Sequence, residues 1–140
     1  MKTFQHTIKL KEKKRGFHLI TDEVVHSAPE INEIKMGICH VFIQHTSASL
    51  TLNEDASPDV RKDFDRLFNK DVAENDRGYL HDDEGPDDMP AHLNASVWGS
   101  SEAVPVLNGI VACGMWQGID VLKMRNAVHG ANPVVTSQSI

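Results

Sequence analysis

The sequence predicts a single α+β domain over residues 1–140, mostly antiparallel sheet in a sandwich- or barrel-like arrangement with two or three helices. Three observations carry this expectation. Short apolar, β-branched runs recur along the chain, separated by turn residues. Asn108-Gly109 lies between two such runs, the signature of a two-residue hairpin. The helical patterns do not alternate with strands as repeated βαβ units would require.

Thr3 to Leu10 alternates, with Phe4, His6, Ile8 and Leu10 on one face, and predicts a half-buried strand. Lys11, Lys13, Lys14 and Arg15 follow and end at Gly16, which fits the solvated tip of a hairpin. Phe17 to Ile20 reads as the second strand. Thr21 or Asp22 then caps a helix to about Ile34, with acids in its first turn and Val24, Val25, Ala28 and Ile31 facing inward. Gly37 to Gln44, "GICHVFIQ", is nearly all apolar and predicts a central strand. After the polar break "HTSA", strand character resumes from Ala48 to Asn53.

Ser57-Pro58 joins an N-cap serine to a proline at the first helical position. Val60, Phe64, Leu67 and Phe68 follow at the spacing of an amphipathic inner face. Asp71 to Pro90 has no regular pattern, and a connection of that length tends to be functional or disordered. Asp88 is placed to cap a short helix from Met89 to about Val97. "VPVLNGIVA" is the hairpin, its second strand continuing to about Arg125, and Pro133 to Ile140 forms a last strand.

Composition excludes several classes. The chain is 40% apolar and 24% charged, as expected of a soluble globular protein. Its formal charge of −6 argues against a nucleic-acid surface, which needs a basic face. No apolar run approaches the ~20 residues of a membrane span. "MKTFQHTIKL" lacks the apolar core of a signal peptide, so a cytoplasmic location is expected. Cys39 and Cys113 lie inside apolar runs and are expected to be reduced and buried.

The chemistry concentrates in "HDDEGPDDMPAHL", His81 to Leu93. This stretch holds two histidines and five carboxylates with no lysine or arginine, and so supplies −5 of the chain's −6. His81, Asp82, Glu84, Asp87, Asp88 and His92 offer imidazole nitrogens and hard oxygens for zinc, manganese or iron, or for magnesium through the carboxylates. Gly85-Pro86 and Met89-Pro90 stiffen the stretch, and a bound cation is the usual physical reason to hold repelling acids together. There is no HExxH or paired CxxC, and a solvated acidic loop has the same composition.

His45 is a second candidate, at the end of an apolar strand with Thr46 and Ser47 beside it and Asn53, Glu54 and Asp55 after the next strand. Such groups can line a pocket floored by the sheet. Capping and turn hydrogen bonds explain Thr46, Ser47 and Asn53 equally well. No GxSxG-type elbow surrounds Ser47 or Ser49. In "GMWQG", Trp116 lies between glycines and offers either a stacking wall for an aromatic ligand or a core side chain.

Taken in order, "HTSASLTLNEDASPDVRKD", "HDDEGPDDMPAHL" and "GMWQGI" resemble the YjbQ family of small bacterial and archaeal proteins. The resemblance spans Ile38 to Ile119. It implies a homotrimer of α+β subunits and carries the label of secondary thiamine-phosphate synthase. It also implies a site near a subunit boundary made by His45, His81, Glu84, Asp88 and His92, with Trp116, Gln117 and Arg125 nearby. The chain departs from the family pattern at Met115 (usually threonine), Lys123 (usually glutamate) and Asn94 (usually lysine), and "NAVHGANP" replaces a basic run after Arg125.

The expected reaction is therefore the joining of a hydroxymethylpyrimidine diphosphate to a thiazole phosphate. A divalent ion would be held by His81, Glu84, Asp88 and His92, with His45, Glu84 and His92 as catalytic groups. Thr46, Ser47, Asn53, Trp116, Gln117 and Arg125 would contact the substrate. Two other classes fit the same residues. One is a metal-dependent phosphoester hydrolase with His45 or Glu84 as base. The other is a trimeric binding or scaffolding protein whose acidic loops seal the interface.

Overall fold

A computed structural model of the chain describes residues 1–127 and 130–140. Val128 and His129, inside the altered stretch after Arg125, lie outside the described residues. In chain order the first half runs β1 (Thr3–Thr7), β2 (Gly16–Leu19), α1 (Thr21–Ser27), a 3-10 turn (Pro29–Glu33), β3 (Met36–Ile43) and β4 (Ala48–Glu54). The second half runs α2 (Pro58–Asp71), α3 (Asp88–Trp98), β5 (Ser101–Leu107), β6 (Ile110–Val111), β7 (Gln117–Lys123) and β8 (Pro133–Ser139). The expected α+β fold on antiparallel sheet is the one observed.

The strands form two antiparallel sheets, β1-β8-β3-β5-β6 and β2-β7-β4. Their inner faces pack on each other through Cys39, Val41, Val104, Val106 and Val135 on one side and Leu50, Ile119 and Val121 on the other. Val24, Ala28, Ile31 and Ile34, from α1 and the segment after it, join the same core. The outer face of the smaller sheet is covered by α2 and α3. There Phe17 and Leu122 meet Ala91, Phe64 and Trp98 in an aromatic cluster with ring centroids 5.4–5.6 Å apart. The outer face of the larger sheet keeps Met36, Ile38, Leu107 and Ile110 exposed in neighbouring strand positions, with Phe42 further along β3 beyond the half-buried His40.

Several expectations of local structure are corrected. β1 and β2 do not form a hairpin: β1 pairs with β8 and β2 with β7, so residues 8–15 cross from one sheet to the other. Of the basic cluster on that crossing, Lys13 is paired with Glu23 and Arg15 with Glu74 and Asn69, while Lys11 and Lys14 are exposed. The first helix stops before Pro29, whose ring disfavours helical backbone at Ala28 (ψ 66°). Its cap is Ile20, because the Thr21 hydroxyl instead accepts the Ile119 amide across the sheet. In α2 the inward neighbours of Phe64 and Phe68 are the half-buried Arg61 and Asp65, and Leu67 faces solvent. α3 begins at Asp88 with Asp87 as N-cap, one residue earlier than expected. The strand after the hairpin ends at Val111; "GMWQG" is largely a turn that carries the chain to β7 in the other sheet.

The hairpin itself has Asn108 at φ 51° and Gly109 at φ 80°, the positive values a type I′ turn requires. Gly37, on the inner face of β3, is needed for a different reason. A Cβ there would lie 2.0 Å from the Gln138 carbonyl oxygen and 2.7 Å from Ile34 Cγ2. Gly37→Ala is expected to cost about 3 kcal/mol, because the main-chain clash cannot be relieved by a side-chain rotation. Urea unfolding checks this as a fall in midpoint at unchanged slope. No helix among the described residues is long and apolar enough to cross a membrane.

Candidate functional site

The acid-rich stretch is folded against the end of β7. Gly85, at φ 108°, turns the chain so that Asp87 and Asp88 open α3 while Arg125, two residues past β7, reaches back to them. Arg125 is ion-paired to Asp88, lies 3.4 Å from Asp87 Oδ1, and donates through Nη2 to the Glu84 carbonyl at 2.9 Å. Asp87 Oδ2 also accepts the Asn126 amide at 2.7 Å. One guanidinium thus offsets the repulsion among these acids and fixes the loop to the sheet.

At the centre lies Asp88, 2% exposed. His81 Nε2 is 2.8 Å from its Oδ2 and His92 Nε2 is 3.4 Å from its Oδ1. His92 Nδ1 faces the Thr46 carbonyl at 2.8 Å, which accepts but cannot donate, so Nδ1 carries the hydrogen and donates. That leaves a lone pair on Nε2 directed at a carboxylate oxygen. That oxygen, Asp88 Oδ1, also takes the Arg125 guanidinium, and a cation placed between the imidazole and the carboxylate would serve both lone pairs. The potential ligand atoms of His81, Asp88 and His92 all lie within 4.8 Å of one another. Burial pushes the Asp88 carboxyl up, but Arg125, His92 and His81 together outweigh it and hold the group below the ordinary aspartate value. The donor set, two imidazoles and an ionised carboxylate with one imidazole oriented by a main-chain carbonyl, fits a divalent transition metal.

The predicted residues divide between two ends of the molecule. His45, Thr46 and Ser47 lie at the same end as the triad, in the loop that orients His92. His45 and Ser47 join Lys123 and Arg125 around a small cavity of about 90 Å³. Glu84 is placed beside the triad but outside its ligand group; its exposed carboxylate turns to Arg125, 3.6 Å away. A cleft of about 390 Å³ opens on the His81 side, lined by Asn75, Arg77, Tyr79, Asp82 and Met89 among others.

Asn53, Trp116 and Gln117 lie at the opposite end. Asn53 pairs with Gly118 at the start of β7, whereas Arg125 follows its finish, and at the rise of a strand Trp116 and Arg125 are separated by roughly 30 Å. There Gln117 Oε1 accepts the Gly114 amide and Asn53 Oδ1 accepts the Glu54 amide. Within one subunit these residues serve local turns, and Trp116 stands 63% exposed. Sequence reading also missed Lys123 as a site residue. The available signal was its place in the alternation of β7, two residues after Val121, which directs a charge inward.

The fold and the site together define a class: two packed antiparallel sheets, helices on one outer face, and a histidine–aspartate centre where the strand ends meet α3. The chain belongs to the YjbQ family, whose pattern, described as UPF0047 protein YjbQ-like, matches residues 6–130. It is 44% identical over 129 residues to UPF0047 protein YjbQ of Escherichia coli, covering 92% of this chain and 91% of that one. The Salmonella typhimurium protein of the same name is 48% identical over 127 residues, covering 91% and 90%. Among solved structures, a YjbQ-like protein of unknown function from Sulfolobus solfataricus shares the fold at TM-score 0.81 and 22% identity, covering 97% of this chain and 96% of that chain. An uncharacterised YjbQ/UPF0047 protein from Clostridium acetobutylicum has TM-score 0.73 at 28% identity, covering 97% and 98%.

Proposed function

We propose that the chain is a divalent-metal-dependent enzyme acting on a phosphorylated small molecule, and that its specific reaction is of the thiamine-phosphate synthase type. The observation that carries this reading is the triad His81, Asp88 and His92, with the His92 lone pair held toward Asp88 by the Thr46 carbonyl. These three residues would hold the ion, which supplies positive charge for a departing pyrophosphate. Three protein ligands leave coordination positions open for substrate oxygens.

The remaining roles belong to side chains. Arg125 fixes Asp87 and Asp88 and adds a cation beside the leaving group. His45, exposed at the same end, would exchange a proton with a bound substrate in this reading. In the reaction, the bond between the pyrimidine methylene carbon and the diphosphate oxygen breaks, and pyrophosphate leaves with the electron pair. The thiazole nitrogen donates its lone pair to that carbon, giving the thiazolium of thiamine phosphate. No redox partner is needed.

The working unit in this reading is a homotrimer. The apolar group of Met36, Ile38, Leu107 and Ile110 supports self-association, since contiguous exposed apolar surface of this kind marks interaction sites. In that assembly Trp116 and Gln117, remote from the triad in their own subunit, are available to a neighbouring copy.

Manganese and zinc titrations of the full chain test the metal reading. One ion per chain is expected, with affinity reduced at least 100-fold in both His81→Ala and His92→Ala while the oligomeric mass is unchanged. Metal-dependent release of pyrophosphate together with thiamine phosphate supports the synthase reaction. Free phosphate and an alcohol would instead identify a hydrolase. Absence of metal binding would leave a non-catalytic binding protein.

A further inference from the structure

The irregular connection between α2 and α3 is tied down along its length. Glu74, near its start, is ion-paired to Arg15 on the crossing between the sheets. Asp76 Oδ1 accepts the Gly78 amide at 2.8 Å and the Asp76 carbonyl accepts the Tyr79 amide at 3.4 Å, so residues 76–79 fold into a turn. Further along, Gly85 bends the chain, and Arg125 holds the Glu84 carbonyl to the end of β7. Between the turn and the bend lies the cleft of about 390 Å³, with His81 of the triad in its wall. Small-molecule sites commonly enclose roughly 300–1,000 Å³, and this cleft falls within that range.

The lining combines two kinds of surface. Tyr79 and Met89, both half-buried, and Pro86 bring an aromatic ring, a thioether and a pyrrolidine, which pack well on a flat apolar group. Asn75, Arg77 and Asp82 line the same cleft, and among the described residues their side chains have no hydrogen-bond or ion-pair partner. Arg77 donates, Asp82 accepts and Asn75 does both, which suits ring substituents of either kind. Apolar walls with a few polar groups converging on them are the usual make-up of a small-molecule site. Position decides what the ring is attached to. His81 lies in the cleft wall and turns Nε2 to Asp88, so the cleft and the triad are within reach of one small molecule.

We infer that the cleft between the 76–79 turn and Gly85-Pro86 is a subsite for a flat aromatic ring, packed against Tyr79 and Met89, in a substrate whose phosphate lies at the triad. The inference rests on the phosphorylated-substrate reading above for the phosphate. It assigns selectivity for the rest of the molecule to the connection between α2 and α3, within one subunit.

Phenyl phosphate and methyl phosphate, titrated calorimetrically into the full chain with and without manganese, test it. The two share a phosphate monoester and differ in the ring. The wild type should bind phenyl phosphate at least tenfold more tightly than methyl phosphate. Tyr79→Ala should abolish that preference and Tyr79→Phe should keep it, both with manganese affinity unchanged. Met89→Gln, which exchanges the thioether for an amide of similar size, should reduce the preference at least threefold. It keeps the test open if Tyr79→Ala does not fold. Equal affinity of the wild type for the two esters, or binding of neither, overturns the subsite, and manganese binding in the same titrations leaves the metal centre standing. A wild-type preference in folded Tyr79→Ala or Met89→Gln also overturns it. A preference kept in Tyr79→Ala but lost in Trp116→Ala would place the ring at the other end of the subunit and overturn it too. A ring preference in a chain that binds no manganese would refute the metal reading alone.

Discussion

Asp88→Asn is expected to lower affinity for a divalent ion at least 100-fold and to destabilise the fold by about 2 kcal/mol at pH 7. The isostere keeps the shape of the site and removes its charge, so His81, His92 and Arg125 lose the group on which they converge. Breaking a buried ion pair outright costs about 3–5 kcal/mol, but Arg125 retains Asp87 and Glu84, which reduces the penalty. The pH dependence has a definite sign. The folded carboxyl lies below its ordinary value of 3.8, so its stabilisation is present above about pH 4 and is lost as pH falls through the lowered folded value. Wild type and Asp88→Asn should therefore converge in stability in strong acid. His92→Ala, at a more exposed position, should lose the metal with a much smaller change in stability. Isothermal titration with manganese and urea unfolding between pH 3 and pH 7 separate the two effects. Equal metal affinity in wild type and Asp88→Asn would remove the triad as the binding site.

Asp120→Asn is expected to act in the opposite direction and to stabilise the protein by up to about 3 kcal/mol at pH 7.5. Asp120 lies at the middle of β7, 1% exposed, with Leu19 and Thr51 as its cross-strand neighbours. Among the described residues, neither of its carboxylate oxygens has a hydrogen-bond partner. Burial raises its pKa from 3.8 to about 6; Arg61 on α2 lowers it and Asp55 raises it further. Because the folded value is the higher one, the folded state holds the proton more tightly than the unfolded chain. Stability is then greatest below pH 4, declines as pH rises through about 6, and levels off above pH 7, where the buried charge is fully formed. The asparagine variant should show none of that decline, so the gain over wild type vanishes at pH 4 and is complete above pH 7. Thermal unfolding across that range checks it. A constant difference at every pH would mean that titration of Asp120 is not the cause.

Local chemistry made much of the fold legible. Asn108-Gly109 announced a type I′ turn because few other residue pairs tolerate two positive φ values, and the observed angles are 51° and 80°. Pro58 announced the start of α2 because proline fits the first helical turn, where no amide hydrogen is required. The dense charge of 81–93 announced a special stretch, and His81, Asp88 and His92 do converge there. Their convergence has a local part, since Asp88 and His92 lie one helical turn apart at i and i+4.

Other features depended on contacts between residues far apart in sequence. Whether Lys11 to Arg15 tip a hairpin or cross between sheets is decided by the partners of β1 and β2, which are β8 and β7, over a hundred residues away. The Thr21 hydroxyl looked like a cap because its bond to Ile119, 98 residues later, leaves no mark on its neighbours in sequence. Trp116 and Gln117 resembled parts of one site with Arg125, yet β7 separates them by its whole length.

By itself the sequence determined the class of fold, most of the strands and helices, and the short segment where histidines and acids are concentrated. Periodicity, turn residues and charge are properties of neighbouring residues, and they act before the chain closes on itself. Only the tertiary structure decided which strand pairs with which, that Arg125 answers the acids, and that Lys123 closes a cavity beside them. Those outcomes follow from how two sheets bury their common faces, an arrangement set by the summed packing of distant segments.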